Sequence, residues 1–294
     1  MAFTPQVCSN LECPFHRSPG GVFIRKGFYR IKRINQLVRR FQCQYCKRTL
    51  SSRTFKANFG HKKMDLNYQL AKLLTEGNSL RGCSRILKMT YRSTYLKFLW
   101  LSKQARIEKL KYKFAAVELQ FDEMETIHHT KCKPLSIALL VNESYQILEA
   151  QVAEMPAKGK LARFSVQKYG IRPDERDAKM RFAFETVSAR ILEPPERILS
   201  DAKSSYRKFA QSFFPKAKYE IHSRAKKERH RERLHEKLAK KAFDPLFQLN
   251  QRCAKLRSDI KRLTRRSWCT TKRPENLQAH LDLYIMVQFG FLQS

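Results

Sequence analysis

The sequence predicts an α/β fold in which a mixed sheet flanked by helices follows two small N-terminal modules. Three β-like runs, VELQFDE, PLSIALLV and YQILEAQVAEM, follow one another from residue 117, and the polar breaks between them are typical of antiparallel strands. After an expected loop containing Pro156, Gly159 and Gly170, a helical segment at 176–192 and the short apolar run RILSDA follow, which gives the order β-β-β-α-β. Paired cysteines and a helical periodicity mark the modules ahead of the sheet. We therefore expect domains at 1–60, 61–113 and 114–294.

Charge is the strongest compositional signal. The 294 residues include 60 Lys and Arg against 26 Asp and Glu, a formal net charge of +34. Such an excess favours a polyanionic partner, since each neutralised phosphate releases counterions. No apolar run approaches the roughly 18 residues that span a bilayer, and the N-terminus lacks a signal-peptide pattern. We expect a cytoplasmic, nucleoid-associated protein that binds nucleic acid and no membrane.

The first module, 1–60, carries two close cysteine pairs. Cys8 and Cys13 are separated from Cys43 and Cys46 by a hairpin-sized insert. Zinc prefers four tetrahedral ligands, and two such pairs supply them without strain, so we predict a structural Zn²⁺ in a zinc ribbon. Many Arg and Lys residues surround the pairs, which favours DNA contact, although solvated loops carry such charges too. The other cysteines lack a close partner and are predicted to be core residues: Cys83, Cys132, Cys253 and Cys269.

The second module, 61–113, has helical periodicity, a break at Gly77 and Asn78, and a turn at Lys88 to Thr90. This spacing predicts a small all-α helix-turn-helix domain that reads the major groove. The residues expected to face DNA are Tyr91, Arg92, Ser93, Thr94 and Lys97. Those expected to pack beneath are Leu80, Cys83, Ile86, Leu87, Tyr95 and Leu99. The alternative is a plain three-helix bundle.

Two aspartates end apolar strands of the third domain. Asp122 closes VELQFDE and Asp201 closes RILSDA. In a three-stranded meander followed by helix and strand, the first and fourth strands lie side by side, so the two carboxylates should converge. Paired carboxylates suit two Mg²⁺ or Mn²⁺ ions and phosphodiester chemistry. The alternative for either aspartate alone is an ordinary turn former.

The layout resembles the compact transposases of bacterial insertion sequences. It combines a four-cysteine ribbon, a helix-turn-helix and paired strand-end aspartates, and residues 254–285, AKLRSDIKRLTRRSWCTTKRPENLQAHLDLYI, look like the C-terminal helix of that family. The resemblance implies an RNase H-like catalytic domain with an acidic triad of the DDE type. It also implies a homo-oligomer on DNA, acting on element terminal repeats and target.

The third acid departs from the family pattern. The family has a Glu about two helical turns before the Leu-Arg pair, and Asn250 occupies that place here. An amide oxygen binds a hard cation more weakly than a carboxylate does. Asp244 lies one to two turns upstream and is the other candidate. Glu236 and Asp259 are poorer ones, and Glu275 falls in an expected loop.

Basic residues cluster on the C-terminal segment near the expected active site. The candidate DNA contacts there are Arg257, Arg262, Arg265, Arg266 and Lys272. The alternative is a solvated face, which charge runs usually are. Trp268 could stack on an unpaired base, although a lone Trp is more often core. A dense basic run forms an expected insertion at about 223–242, either a solvated helix or a clamp on flanking DNA.

Together these features predict a transposase that binds element ends and catalyses metal-dependent strand cleavage and strand transfer. The alternative is a catalytically inactive DNA-binding regulator derived from a transposase. An RNA-binding protein would explain the charge but not the paired strand-end aspartates.

Overall fold

The computed structural model describes residues 3–32, 35–56, 59, 62–222, 244–264 and 269–291. Contacts divide the chain into two compact units, Met1–Leu66 and Asn67–Ser294. Arg265, Arg266, Trp268 and the basic insertion at about 223–242 lie outside the described residues.

The first unit contains a three-stranded antiparallel sheet. Its strands are β1 (Phe23–Ile31), β2 (Gln36–Cys43) and β3 (Thr49–Ser51), in the order β1-β2-β3. Its buried core is small and consists of three cysteines with Phe41 and Leu50. A unit with so little apolar core depends on a metal or another cross-link for stability.

The second unit contains a five-stranded mixed sheet. Its strands are β4 (Glu118–His128), β5 (Thr130–Asn142), β6 (Ile147–Glu154), β7 (Arg197–Ser200) and β8 (Lys218–Ile221), in the order β6-β5-β4-β7-β8. Strands β6, β5 and β4 form an antiparallel meander, whereas β7 pairs in parallel with both β4 and β8. The prediction that the first and fourth strands of this sheet are neighbours is confirmed.

Helices cover both faces of this sheet, as predicted. They are α1 (Leu66–Thr75), α2 (Leu80–Ile86), α3 (Tyr91–Lys111), α4 (Leu161–Tyr169), α5 (Arg176–Ser188), α6 (Tyr206–Phe213), α7 (Phe247–Asp259) and α8 (Pro274–Gln288). One core packs Leu119 and Phe121 of β4 against α5 and α6. The other packs Met124 of β4 against α7 and α8. This alternation follows from the two-residue period of a strand and sets which side chains share a face.

Helices α1 to α3 share a core with the C-terminal helix. Leu70, Phe98 and Leu101 are buried in one cluster with Leu283 and Met286 of α8. The expected boundary at residue 113 therefore has no counterpart in the contacts of the described residues. None of the described helices is long and apolar enough to cross a bilayer.

A buried ion network strengthens this arrangement. The Lys109 ammonium of α3 contacts Glu149 at 2.5 Å and Asp282 at 2.6 Å, and the Arg190 guanidinium contacts Glu149 at 3.3 Å. All four side chains are nearly inaccessible to solvent. Removing one partner would leave a buried charge unpaired, which typically costs about 3–5 kcal/mol.

Two features differ from the sequence prediction. Residues 161–169 were expected in a loop but form α4, whose Ser165 hydroxyl donates to the Cys132 carbonyl at 2.6 Å. The polar break expected at His128 to Lys133 shrinks to a tight turn, in which His129 has a φ of 66°. Strands β4 and β5 both extend into this polar run, because their residues continue to pair as far as His128 and Thr130.

Candidate metal centres and nucleic-acid interface

Asp122 and Asp201 lie at corresponding places on neighbouring strands. Phe121 of β4 pairs with Ser200 of β7 in parallel register, and each aspartate is the next residue along the chain. Asp201 directly follows β7, as predicted. Asp122 does not end its strand: it lies in the middle of β4, which continues to His128 because its ladder with β5 continues. Adjacent strands are about 4.8 Å apart, and residues in parallel register point to the same face. The topology therefore brings the two carboxylates together at the carboxyl end of β7, beside the middle of β4.

The electrostatics of Asp122 reflect this proximity. Burial, with the negative charges of Asp201 and Glu123, raises the pKa of the Asp122 carboxyl to about 6. Hydrogen bonds oppose the rise: the Glu123 amide donates to Asp122 Oδ1 at 2.7 Å and the Tyr206 hydroxyl donates to the same atom at 3.0 Å. Two close carboxylates disfavour each other's charge unless a cation joins them.

The pair has no cationic side chain as a partner among the described residues. Asp201 Oδ1 accepts from the backbone amide of Lys203 at 3.2 Å, while the Lys203 ammonium binds Glu123 instead. Carboxylate oxygens held by neutral donors and left without a counter-ion fit hard divalent cations such as Mg²⁺ or Mn²⁺. The donor set is thus compatible with the predicted metal centre.

Gln120 fixes helix α7 beside this pair. Gln120 is fully buried and lies two residues before Asp122, so both side chains point to the same face of β4. Its amide nitrogen lies 2.6 Å from Gln248 Oε1 and 3.1 Å from the Pro245 carbonyl, and its carbonyl accepts from the Leu249 amide at 3.1 Å. The start of α7 is therefore attached to the strand that carries Asp122.

The two candidates for the third ligand contact each other at the start of α7. Asn250 Nδ2 donates to Asp244 Oδ2 at 2.7 Å, and Asp244 Oδ1 accepts from the Leu246 amide at 3.0 Å. Asp244 is exposed and Asn250 is half-buried. Both therefore lie on the segment that Gln120 attaches to β4, and the choice between them stays open.

We expect Gln120→Leu to loosen the start of α7. The substitution removes the hydrogen bonds that join Gln120 to Pro245, Gln248 and Leu249. Each buried polar group left without a hydrogen bond costs about 1–3 kcal/mol. Hydrogen exchange at the amides of 246–250 should become faster than in the wild type. Gln151→Leu is the matched control, because the side chain of that buried glutamine donates to Glu149 of the same strand, β6, at 3.0 Å. Equal acceleration in both variants would contradict the positioning role.

Gln120 and Tyr206 were missed by sequence reasoning. The signal for Gln120 was a neutral polar residue in the middle of an apolar strand, where a buried amide must find partners. Tyr206 gave no signal, since its contact with Asp122 spans 84 residues of sequence.

The four cysteines of the first unit cluster as predicted. The sulfur atoms of Cys8, Cys13, Cys43 and Cys46 all lie within 4.8 Å of one another. Cys8 Sγ is 3.5 Å from Cys46 Sγ and Cys13 Sγ is 4.0 Å from Cys43 Sγ, and all four are free thiols. This is the arrangement that a tetrahedral zinc site requires. Of the other cysteines, Cys83 and Cys132 are buried, whereas Cys253 and Cys269 are half-buried.

Backbone amides support thiolate ligands in this cluster. The amide of Asn10 donates to Cys8 Sγ at 3.4 Å, and the amides of Phe15 and Arg48 similarly favour the charged forms of Cys13 and Cys46. In each case the donor lies two residues after the cysteine. Burial opposes ionisation and raises the pKa of Cys8 to about 12. A cation that replaces the thiol protons resolves this conflict, which fits Zn²⁺.

The start of α3 presents some of the predicted DNA contacts and buries others. Tyr91 is 50% exposed, and Arg92 and Ser93 are exposed as well. The outward placement of Thr94 and Lys97 is wrong: they are 0% and 8% exposed. Lys97 Nζ donates to Asn67 Oδ1 at 2.6 Å, so its ammonium group is bound inside the helical domain rather than presented to DNA.

The predicted packing beneath these residues is right in part. Cys83 is buried, and Leu80, Leu87, Tyr95 and Leu99 pack against the same core. Ile86 was expected there too but is 56% exposed, because it lies at a surface groove beside Tyr68 and Leu73 of α1 rather than in the core.

The C-terminal basic residues occupy different environments. Lys272 is exposed, Arg257 and Arg262 are half-buried, and the Arg262 guanidinium lies 5.9 Å from the centre of the Phe98 ring. The Lys272 carbonyl accepts from His128 Nε2 at 2.9 Å, which ties this segment to the end of β4. Their contact with DNA remains a proposal.

No protein-family model matches this chain, and no curated protein matches it. Solved structures that match include the crystal structure of the Mos1 strand transfer complex, at 9% sequence identity. That match covers 76% of this chain and 78% of the other, with a TM-score of 0.24. A TM-score this low carries no argument about fold or function.

Proposed function

We propose that this chain is a DNA transposase that binds the ends of its element and catalyses metal-dependent strand cleavage and strand transfer. In this proposal Asp122 and Asp201 hold two Mg²⁺ or Mn²⁺ ions in an RNase H-like domain, with Asp244 or Asn250 as the third ligand. Tyr91, Arg92 and Ser93 contact the element ends, and the first unit binds one structural Zn²⁺.

The observation that supports it most is the carboxylate pair on β4 and β7. The two aspartates are neighbours across parallel strands, and their described partners are neutral donors, Tyr206 and the backbone amides of Glu123 and Lys203. A pair used only for turn formation would not need a site in which burial raises the pKa of one carboxyl. A divalent cation would favour the ionised form of both.

The side chains have separate tasks in this proposal. Tyr206 and the Glu123 amide orient Asp122 Oδ1, and Gln120 keeps α7 against the strand. Bound Mg²⁺ would activate the attacking oxygen and stabilise the leaving oxygen of an in-line displacement. Lys203, which binds Glu123 beside the pair, is placed to attract the phosphate backbone without occupying the aspartates.

The net charge of +34 supports double-stranded DNA as the partner, with the protein acting as a homo-oligomer that bridges two element ends. The exposed Arg92 at the start of α3 would reach base edges, whereas Arg257, Arg262 and Lys272 would contact phosphates. Arg265 and Arg266 belong to the same proposal and lie outside the described residues.

A supercoiled plasmid carrying the terminal repeats that flank the gene tests the proposal. Purified protein should give nicked and joined products with Mg²⁺ or Mn²⁺ and none in EDTA. The absence of metal-dependent products on verified ends, together with tight binding to those ends, would overturn the enzymatic assignment.

The second candidate is a catalytically inactive DNA-binding regulator derived from a transposase. One observation favours it: the place of the expected glutamate holds Asn250, whose amide is engaged with Asp244. A neutral third ligand weakens cation binding. The plasmid assay separates the two candidates, because the regulator binds ends and yields no product under any metal.

We expect DNA affinity to fall steeply with salt. If six to ten phosphates are neutralised, affinity should drop by roughly 10³- to 10⁵-fold between 50 and 200 mM salt.

Arg92→Ala should reduce the preference for the terminal repeat over random duplex by about tenfold, since one base-edge contact contributes about 1–3 kcal/mol. Arg163→Ala, at an exposed arginine of α4, is the control and should leave that preference unchanged. Fluorescence anisotropy on both duplexes measures these effects, and a flat salt plot would contradict them.

A further inference from the structure

A basic cavity lies between the start of α3 and the segment that precedes α8. Its volume is about 470 Å³, within the range of about 300–1,000 Å³ typical of small-ligand sites. One wall comes from residues 78–81 with Tyr91 and Tyr95. The other comes from Lys261, Arg262, Cys269, Thr270, Lys272 and Asn276. The Tyr95 hydroxyl donates to Asn276 Oδ1 at 3.2 Å, so the two walls are joined at one side.

Among the described residues, four cations line this cavity and no carboxylate does. They are Arg81, Lys261, Arg262 and Lys272. Within the described part of the chain none of them forms an ion pair. Positive charges gathered in a concave site without counter-ions raise the local concentration of anions.

Arg262 is the least solvated of the four. Burial lowers the pKa of its guanidinium, and the described neighbours that oppose this shift are Tyr91, Tyr95 and Cys269, none of them a carboxylate. Burial and the Arg262 charge lower the pKa of His280, at the back of the cavity, to about 3, so this histidine adds no charge at neutral pH. A partly desolvated arginine without an acidic partner is stabilised when an anion binds it.

The same cavity has an aromatic wall. The rings of Tyr91 and Tyr95 stack with their centres 6.3 Å apart and their planes at 10°, and the Arg81 guanidinium lies 5.8 Å from the Tyr91 ring centre. Aromatic rings and arginine planes are the surfaces on which unpaired bases stack. A simple phosphate needs neither this wall nor a cavity of this size.

We propose that this cavity binds one unpaired nucleotide of the DNA, with its phosphate against Arg262 and Lys261 and its base against Tyr91. The inference rests on the proposed DNA binding but not on catalysis. A paired base cannot enter, because its ring faces are covered by the neighbouring base pairs and the double helix is far wider than the cavity. A nucleotide turned out of the helix presents both its phosphate and its ring.

Binding measurements without added Mg²⁺ or Mn²⁺ test this proposal with the catalytic metal centre empty and the zinc of the first unit in place. The full-length protein is titrated into three duplexes of one sequence: fully paired, carrying one unpaired 2-aminopurine, and carrying an abasic residue at the same position. We expect the unpaired 2-aminopurine to bind on the order of tenfold tighter than the other two, with quenched fluorescence, since each stacked base contributes measurably to affinity.

Variants locate the effect. Tyr91→Leu should remove both the preference for the unpaired 2-aminopurine duplex over the abasic duplex and the quenching, whatever its effect on affinity for the paired duplex. Arg262→Gln should weaken binding of the unpaired duplex more than that of the paired one. Tyr68→Leu, at another exposed tyrosine, and Arg163→Gln are the matched controls and should behave as the wild type.

Two results would overturn the inference. Equal affinity of the wild type for the 2-aminopurine and abasic duplexes would show that no base is stacked, and a preference that persists in both Tyr91→Leu and Arg262→Gln would place the base elsewhere. Failure of the enzymatic proposal gives a different result from failure of this inference. If the protein prefers the unpaired 2-aminopurine duplex but gives no plasmid products, the nucleotide site stands and the enzymatic proposal is wrong. If the wild type binds none of the three duplexes, both the nucleotide site and the proposed DNA binding are wrong.

Discussion

Asp122→Asn and Asp201→Asn should each abolish Mg²⁺-dependent strand cleavage and joining while leaving DNA binding unchanged. The catalytic metals depend on the charge of these two carboxylates, and metal activation is worth several kcal/mol of barrier. We therefore expect rates to fall by about 1,000-fold or more, since each 1.36 kcal/mol is a factor of ten. The plasmid assay scores the products, and anisotropy on the terminal repeat scores binding.

Asparagine keeps the shape and the contacts of the aspartate that it replaces. In Asp122→Asn the side-chain oxygen would still accept from the Tyr206 hydroxyl and the Glu123 amide. At neutral pH and without added Mg²⁺ or Mn²⁺, the Tm of Asp122→Asn should equal or exceed that of the wild type. The sign follows from linkage: an acid whose folded-state pKa is raised to about 6 destabilises the fold above that pH, and the neutral amide does not.

Asp177→Asn is the matched control for these variants. That aspartate is exposed and its partner at 2.6 Å is Lys208, so its loss should leave the rate of cleavage near that of the wild type. The same assay ranks the third position, where either Asp244→Ala or Asn250→Ala should reduce the rate severely. Retained activity in both Asp122→Asn and Asp201→Asn would place the active site elsewhere.

Loss of zinc should unfold the first unit and leave the second folded. Cys43→Ser should reduce bound zinc to less than about half an equivalent, because three ligands hold the ion far more weakly than four. The binding free energy of structural zinc, about 10–16 kcal/mol in small zinc-dependent domains, is folding free energy for a unit with so small a core. Elemental analysis measures the zinc, and limited proteolysis should show cleavage confined to the first unit, Met1–Leu66.

The control is Cys253→Ser, which changes a half-buried thiol that is not part of the four-cysteine cluster. It should keep a full equivalent of zinc and the proteolytic pattern of the wild type. Unchanged zinc in Cys43→Ser would contradict the site. Lowering the pH should release zinc from the wild type, because burial raises the pKa of the Cys8 and Cys13 thiols and protons then compete with the ion.

Local patterns were sufficient wherever a short stretch of chain fixes the geometry. The two-residue period of three strands, followed by helix and strand, predicted that β4 and β7 would be neighbours, and with them Asp122 and Asp201. The spacing of the cysteine pairs predicted the four-sulfur cluster. Both depend on backbone geometry within a few residues and on a small number of allowed connections.

Helix periodicity was insufficient for α3, because it does not say which neighbours a helix has. Thr94 and Lys97 follow Tyr91 on the same helix and were expected to share its exposed face. In the structure α3 packs against α1 on one side and α8 on another, so Thr94 and Lys97 are covered while residues between those two sides, such as Leu96 and Leu110, stay exposed. A helix with two covered sides buries residues that a single amphipathic stripe would expose.

By itself, then, the sequence determined that β4 and β7 are neighbours, the paired aspartates, the cysteine cluster and the positive charge, all of which follow from local periodicity, spacing or composition. Only the tertiary structure decided where α7 lies relative to Asp122. The contacts of Gln120 with Gln248 and Leu249, which are far along the chain, fix that position. The tertiary structure also decided that Lys261, Arg262 and Lys272 line a basic cavity together with Tyr91. Such contacts depend on how complete elements pack, and packing is a property of complementary surfaces rather than of any one segment's pattern.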